Sequence, residues 1–232
     1  METPPPVRIL TVCTGNICRS PVAERLLQAG LDQVQAGAFV VRSAGTRAMV
    51  GHPIQPPSAD IIRTYGGSPE GFSARQLTGQ LLREADLVLT MTSTHRGEVL
   101  QLDASLLRRT FTIREFARLL SQLELRHGLS GHGAAGQGLS GRGVADAGGA
   151  DSGAADSRAA DTGAADVGGT ENWRSLPARA ASVRHLALPS DPADNDVVDP
   201  YGRGQDVYDA MEDQLAPAVL AVLRFARLTW PA

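Results

Sequence analysis

Val12-Cys13-Thr14-Gly15-Asn16-Ile17-Cys18-Arg19-Ser20-Pro21 decides how the rest of the chain is read. A cysteine is followed by five residues, then an arginine and a serine. The apolar run Val7 to Val12 has β character, and a helical pattern follows from Pro21. A strand therefore delivers the loop to the C-terminal edge of a sheet. The loop then opens a helix whose first N–H groups lack internal partners. Those groups and the helix dipole make an anion site. Gly15 lets the backbone curl so that successive N–H groups point inward. Ser20 suits an N-cap and Pro21 the first helical position. Arg19 can hold two oxygens of a phosphate at once. Cys13, at the base of this positive cup, is placed to act as a thiolate nucleophile. Neither GxxxxGK[ST] nor GxGxxG follows the strand, so the nucleotide-binding βα turns are excluded.

Outward from this loop, Val22, Leu26, Leu27 and Leu31 recur at helical spacing, with Gly30 and Gly37 marking the helix end. Phe39 to Arg42 reads as a second strand, running into Ser43-Ala44-Gly45-Thr46. A helix is predicted over Ser58–Tyr65, a third strand over Leu87–Met91 and a helix over Thr92–Leu102. A fourth strand covers Phe111–Ile113, and an amphipathic helix covers Arg114–Leu125. His95 reads as an exposed or capping histidine, because no second ligand is spaced to join it at a metal. From His127 to about Thr170 there is almost nothing but Gly, Ala, Ser, Asp and Arg, with a five-residue repeat opening at Ala145, Ala150, Ala155, Ala160 and Ala165. The repeat centres are too small to fill a solenoid, so a disordered insertion at about 127–170 is expected. Order is expected to resume near Glu171. Trp173, Leu176, Ala180 and Val183 suit a helix that Pro177 interrupts. Gln205 to Leu228 is a final amphipathic helix.

The spelling Cys13-Thr14-Gly15-Asn16-Ile17-Cys18-Arg19-Ser20 resembles the phosphate loop of the low-molecular-weight protein tyrosine phosphatases. Ser43-Ala44-Gly45-Thr46, Phe72-Ser73-Ala74-Arg75-Gln76 and Asp199-Pro200-Tyr201 extend the resemblance over roughly Val7 to Leu125 and Trp173 to Leu228. An isolated cysteine or arginine is most often packing or surface charge; eight contiguous matching positions in the right context are not. The resemblance implies one α/β domain over 1–232, interrupted by the insertion. It also implies a four-stranded parallel sheet of order 2-1-3-4, flanked by helices, with the phosphate loop after strand 1. This places the site in the crevice at the strand ends.

The implied chemistry is phosphotyrosine hydrolysis. Cys13 is the nucleophile, and Arg19 with the N–H groups of Thr14, Gly15, Asn16, Ile17, Cys18 and Arg19 holds the phosphoryl oxygens. Ser20 assists the sulfur as leaving group. Asp199 is the general acid and base, and Tyr201 walls the crevice. Asp194 and Asp196 are rivals by residue type, but Asp199 alone carries the Pro-Tyr signature. Asn16 would brace the loop. Ser43 either helps hold Asn16 or forms a turn, and Cys18 either traps oxidised Cys13 or packs the core. The chain departs from the family at Phe72, where many relatives carry a histidine of the loop-supporting network. It departs again at Arg47 and Met49, which stand where an aromatic often walls the crevice. Two other functions stay open: arsenate reduction with a small external thiol, and a phosphate-binding regulatory module. A phosphoarginine-specific branch carries threonine at the position of Ile17.

Composition narrows the class. The 232 residues are 42% hydrophobic, enough for a packed core, and the net charge of −3 gives no basic field for nucleic acid. All 22 basic residues are arginine. No run approaches membrane length, and no leader pattern opens the chain. The 2 cysteines share one loop and make no secreted disulfide framework. A cytoplasmic protein acting on phosphotyrosine proteins is expected, with no metal, no cofactor and neither membrane nor nucleic acid as partner.

Overall fold

The computed structural model describes residues 5–126 and 169–230. The run before the cysteine forms β1 (Val7–Cys13), buried at every position except Arg8. It pairs in parallel with β2 (Phe39–Gly45) on one side and β3 (Leu87–Thr90) on the other, and β3 pairs with β4 (Thr110–Thr112). The sheet order is β2-β1-β3-β4, as the resemblance implied. A strand buried on both faces explains the near-continuous apolar spelling. Val7, Ile9 and Cys13 face one core, while Leu10 and Val12 face the other.

The larger core is roofed by α1 (Arg19–Val34), α2 (Pro56–Thr64), α5 (Ile113–Arg126), α6 (Gly169–Ser182) and α7 (Gln205–Thr229). The opposite face packs on α3 (Gly79–Glu84) and α4 (Ser93–Leu102). Gly30 does not end α1 but lies within it. A Cβ there would sit 2.4 Å from Leu223 Cδ1, so the glycine lets α7 approach closely. Nor does Pro177 interrupt α6, which runs through it. The backbone bond lost at Pro177 is offset by burial of Trp173, Leu176 and Ala180. Trp173 meets Phe39 edge to face at 5.0 Å.

Register fixes where the site forms. Cys13 is level with Gly45, and Val12 with Thr90, so three strand ends meet at one edge. The opposite edge receives the ends of the described stretches. Helix α5 leaves β4 and runs back along the sheet, where Glu124 pairs with Arg224 late in α7. Helix α6 begins with Gly169 against Trp230, and Arg174 on its first turns donates to the carbonyl of Pro5. The low-complexity stretch expected at about 127–170 lies outside the described residues, except that Gly169 and Thr170 already belong to α6.

Candidate active site

The loop between β1 and α1 is shaped by what accepts from whom. Its carbonyls are taken from outside: Cys13 O by Thr46 N at 2.9 Å, Thr14 O by Arg47 N at 3.0 Å, Gly15 O by Met49 N at 2.9 Å and Ile17 O by Gln55 N at 2.8 Å. With its carbonyls turned outward, the loop directs its N–H groups toward the cup. Asn16 sits at φ +57°, a left-handed position that asparagine tolerates better than most residues.

Asn16 is held on three sides. Its Oδ1 accepts from Arg75 N at 2.8 Å, and its Nδ2 donates to Ser43 Oγ at 2.8 Å and to Ser20 Oγ at 3.0 Å. Ser43 therefore ties strand β2 to the loop, and donates in turn to the carboxyl of Glu24. Burial raises the Glu24 carboxyl above its ordinary range, against the lowering effects of Ser43, Arg75 and Arg25. Arg75 stands 3.9 Å from Glu24. Phe72 is buried, with the Arg25 guanidinium over its ring at 5.7 Å from the centroid, and lends the loop no hydrogen bond. The brace is thus completed by Arg75 rather than by residue 72.

Ser20 does not cap α1. The helix starts at Arg19 with Cys18 as N-cap and no side-chain cap bond, which leaves the first N–H groups open toward the cup. Ser20 Oγ instead lies 3.0 Å from Cys13 Sγ. Because it already accepts from Asn16, its own proton is free for the sulfur. Asn16 N also donates to Cys13 Sγ at 3.3 Å. Cys18 is different: burial pushes its thiol up to about 11, although the Tyr208 hydroxyl 3.8 Å away lowers it. At neutral pH Cys18 is a thiol, and both cysteines are free.

Arg19 is 4% exposed. Its Nη1 donates to Val197 O at 3.1 Å, and its Nη2 lies 2.6 Å from Asp199 Oδ2. Its buried Nε has no hydrogen-bond partner among the described residues, an orphan donor that an anion in the cup would satisfy. Asp199 is 48% exposed and accepts from Tyr201 N at 3.3 Å. Cys13, Thr14, Gly15, Ile17, Cys18, Arg19, Asp199 and Tyr201 line one crevice with Arg47 and Met49. Asn16 and Ser20 are buried behind it. Asp196, a rival acid by residue type, is occupied elsewhere: its Oδ1 accepts from Ser93 N at 2.7 Å and Ser93 Oγ at 2.9 Å.

Three contributors escaped the sequence. His95 is 4% exposed, not a surface residue. It lies in the first turn of α4 with its Nε2 2.8 Å from Thr14 Oγ1 and its Nδ1 2.7 Å from Thr92 Oγ1. Burial, then the nearby Arg19 charge, lowers it to about 4, so the ring is neutral. Arg114 and Arg118 on α5 hang the segment that carries Asp199. Arg114 donates to Asp196 O at 2.8 Å, and Arg118 donates to Asp194 O at 3.2 Å and to Asn195. The Thr92-x-x-His95 spacing announces a cap, which exists, but no local signal points across to Thr14.

The sequence model of the low molecular weight phosphotyrosine protein phosphatase family matches residues 8–127, just over half of the chain. The low molecular weight protein-tyrosine-phosphatase Etp of Escherichia coli K12 is 46% identical over 91 residues, 39% of this chain and 58% of Etp. The aligned stretch thus spans less than two thirds of that relative. The probable low molecular weight protein-tyrosine-phosphatase AmsI of Erwinia amylovora is 36% identical over 117 residues, 50% of this chain and 76% of AmsI. The crystal structure of the Erwinia amylovora tyrosine phosphatase AmsI superposes with a TM-score of 0.55 at 22% identity, covering 94% of this chain and 91% of the other, a likeness of fold. Loop, sheet order and relatives converge, and the chain belongs to the low molecular weight phosphotyrosine protein phosphatase family.

Proposed function

We propose that this protein hydrolyses phosphotyrosine in protein substrates through a cysteinyl-phosphate intermediate. The carrying observation is the pairing of Arg19 with Asp199 over a cup whose base is Cys13. Substrate phosphate enters the cup, satisfies the orphan Arg19 Nε and displaces Asp199 from Arg19, and the half-exposed carboxylate, released from its cation and set beside the phosphate charge, takes up a proton from water. Cys13 Sγ bonds to phosphorus as the tyrosyl oxygen–phosphorus bond breaks, and Asp199 gives that oxygen its proton. Arg19 and the N–H groups from Thr14 to Arg19 hold the three remaining oxygens as charge redistributes. Water then attacks phosphorus and passes its proton to Asp199. The sulfur leaves as a thiolate, helped by the Ser20 proton. Tyr201 lies against the departing ring. The cycle uses no metal or organic cofactor.

The described stretches 5–126 and 169–230 would together form the catalytic unit, because α1 and α7 share one core with the strands that carry the loop. A nucleophile that must stay reduced suits a reducing compartment such as the cytoplasm. Among the described residues no helix is long and apolar enough to cross a membrane.

Phosphate release from a phosphotyrosine peptide tests the reading. Wild type turns over, and Cys13→Ser loses activity by at least about 10³-fold. No turnover by folded, reduced wild type sinks it. Reduction of arsenate with a small thiol would then name the reductase instead, and phosphate binding without either activity would name the regulatory module.

A further inference from the structure

The phosphate loop is gripped from two flanks. On the β2 flank Asn16 is tied to Arg75, Ser43 and Ser20. On the α4 flank, Gly15 has no side chain to hold, so the Thr14 side chain carries the tie. The hydrogen-bond partner of its hydroxyl among the described residues is His95 Nε2 at 2.8 Å. The ring is fixed in turn from behind. Thr92 Oγ1 accepts from His95 N at 3.2 Å and meets Nδ1 at 2.7 Å, so the residue that caps α4 also sets the imidazole. Both ring nitrogens are therefore occupied by hydroxyls, each able to donate or accept, which satisfies a neutral imidazole in either tautomer. Among the described residues no carboxylate hydrogen-bonds the ring; Glu98, Asp199 and Asp196 act on it only through their charge.

We propose that His95 is a positioning residue for phosphate binding. Through the Thr14 hydroxyl it holds the first turn of the loop so that the N–H groups following Cys13 stay aimed at the phosphoryl oxygens. Thr14 lines the crevice while His95 does not, so His95 acts through Thr14 and not on substrate. A buried imidazole is well suited to hold the loop, because it bonds strongly at a fixed angle without adding a second positive charge beside Arg19. Catalysis by fixed donors depends on their being in place before charge develops, so loosening this flank weakens phosphate in the ground state as well as in the transition state.

The inference rests on the phosphatase reading, and its test includes a readout that turnover does not enter. Inorganic phosphate protects Cys13 from alkylation by iodoacetate, and the concentration giving half protection reports the affinity of the cup. His95→Ala is expected to raise that concentration about tenfold and to lower kcat/KM on a phosphotyrosine peptide by a similar factor. Thr14→Val does the same, and the Thr14→Val/His95→Ala double variant falls about tenfold, not a hundredfold, because both changes cut one connection. Two results overturn the proposal. One is that the double variant loses the product of the two single effects. The other is that His95→Ala lowers the melting temperature while protection and kcat/KM per titrated Cys13 stay within twofold, which would leave His95 a role in the fold alone. Should His95→Ala fail to fold, His95→Gln and Thr14→Val carry the same cycle. If wild type proves to lack turnover yet protection weakens tenfold in the variants, the phosphatase reading falls and this one stands.

Discussion

The two loops that meet over the crevice are built to opposite specifications. The phosphate loop is buried, its carbonyls are taken by N–H groups from the segment after β2, and Asn16 is held on three sides. The loop carrying Asp199 is suspended from outside. Arg114 and Arg118 hold carbonyls upstream of it, Gln214 Oε1 accepts from Val198 N at 2.8 Å, and the Asp199 side chain is half exposed. The difference suits the work proposed for each. Three oxygens must be met by donors that do not move, because reorganising dipoles during the reaction forfeits their advantage. A group that gives and retakes a proton must instead change partners within a cycle, and a partly solvated carboxylate bridging to Arg19 can do so.

This contrast makes separable predictions. The largest effect is expected at Asp199. Asp199→Asn should lower kcat on a phosphotyrosine peptide by roughly 10² to 10³-fold, yet leave phosphate protection of Cys13 unweakened, because Arg19 loses a competitor. Protection that weakens with turnover would mean that the acid loop also builds the cup. Asn16→Ala should do the reverse in kind. It removes three side-chain bonds and puts alanine at φ +57°, so turnover and phosphate affinity fall together, by roughly 10-fold to 100-fold. The thermal midpoint should fall with them. A variant that keeps affinity and loses only kcat would deny that the loop is rigid by design.

The smallest effect concerns pH. The His95 ring takes a proton near 6.5 when unfolded but only near 4 in the fold. Between those values the unfolded chain binds more protons, so stability falls as the pH drops through the window. The loss reaches at most about 3 kcal/mol by pH 4, at ~1.4 kcal/mol per pH unit. Urea melts from pH 4 to 7 should show this slope in wild type and a shallower one in His95→Gln. Coincident slopes would show that the ring is not held neutral by its burial against the phosphate loop.

Much of this could be read from spacing. Strand, cysteine loop and helix follow one another in the chain, and Asp199 stands out by its Pro-Tyr neighbours. Local signals pointed to these because each is spelled in one contiguous stretch. His95 failed that test: it meets Thr14 across a sequence separation of 81 residues, and only the alignment of β1 with β3 brings them together. Arg114 and Arg118 read as the solvated face of an amphipathic helix, since nothing in their spelling says that carbonyls of the acid loop lie above them. Ser20 misled in another way. A serine before proline is a good cap by composition, but α1 starts two residues earlier, at Arg19 with Cys18 as N-cap, and the serine hydroxyl lies against the sulfur instead.

The end of α5, where Glu124 pairs with Arg224, and the start of α6, against Trp230, Phe39 and Pro5, lie at the pole of the sheet opposite the crevice. The crevice lined by Cys13, Arg19 and Asp199 lies at the other pole, so sequence entering between these two helix ends starts and ends away from it. That separation makes the stretch between them the place to graft a reporter or a tether at a distance from the proposed site.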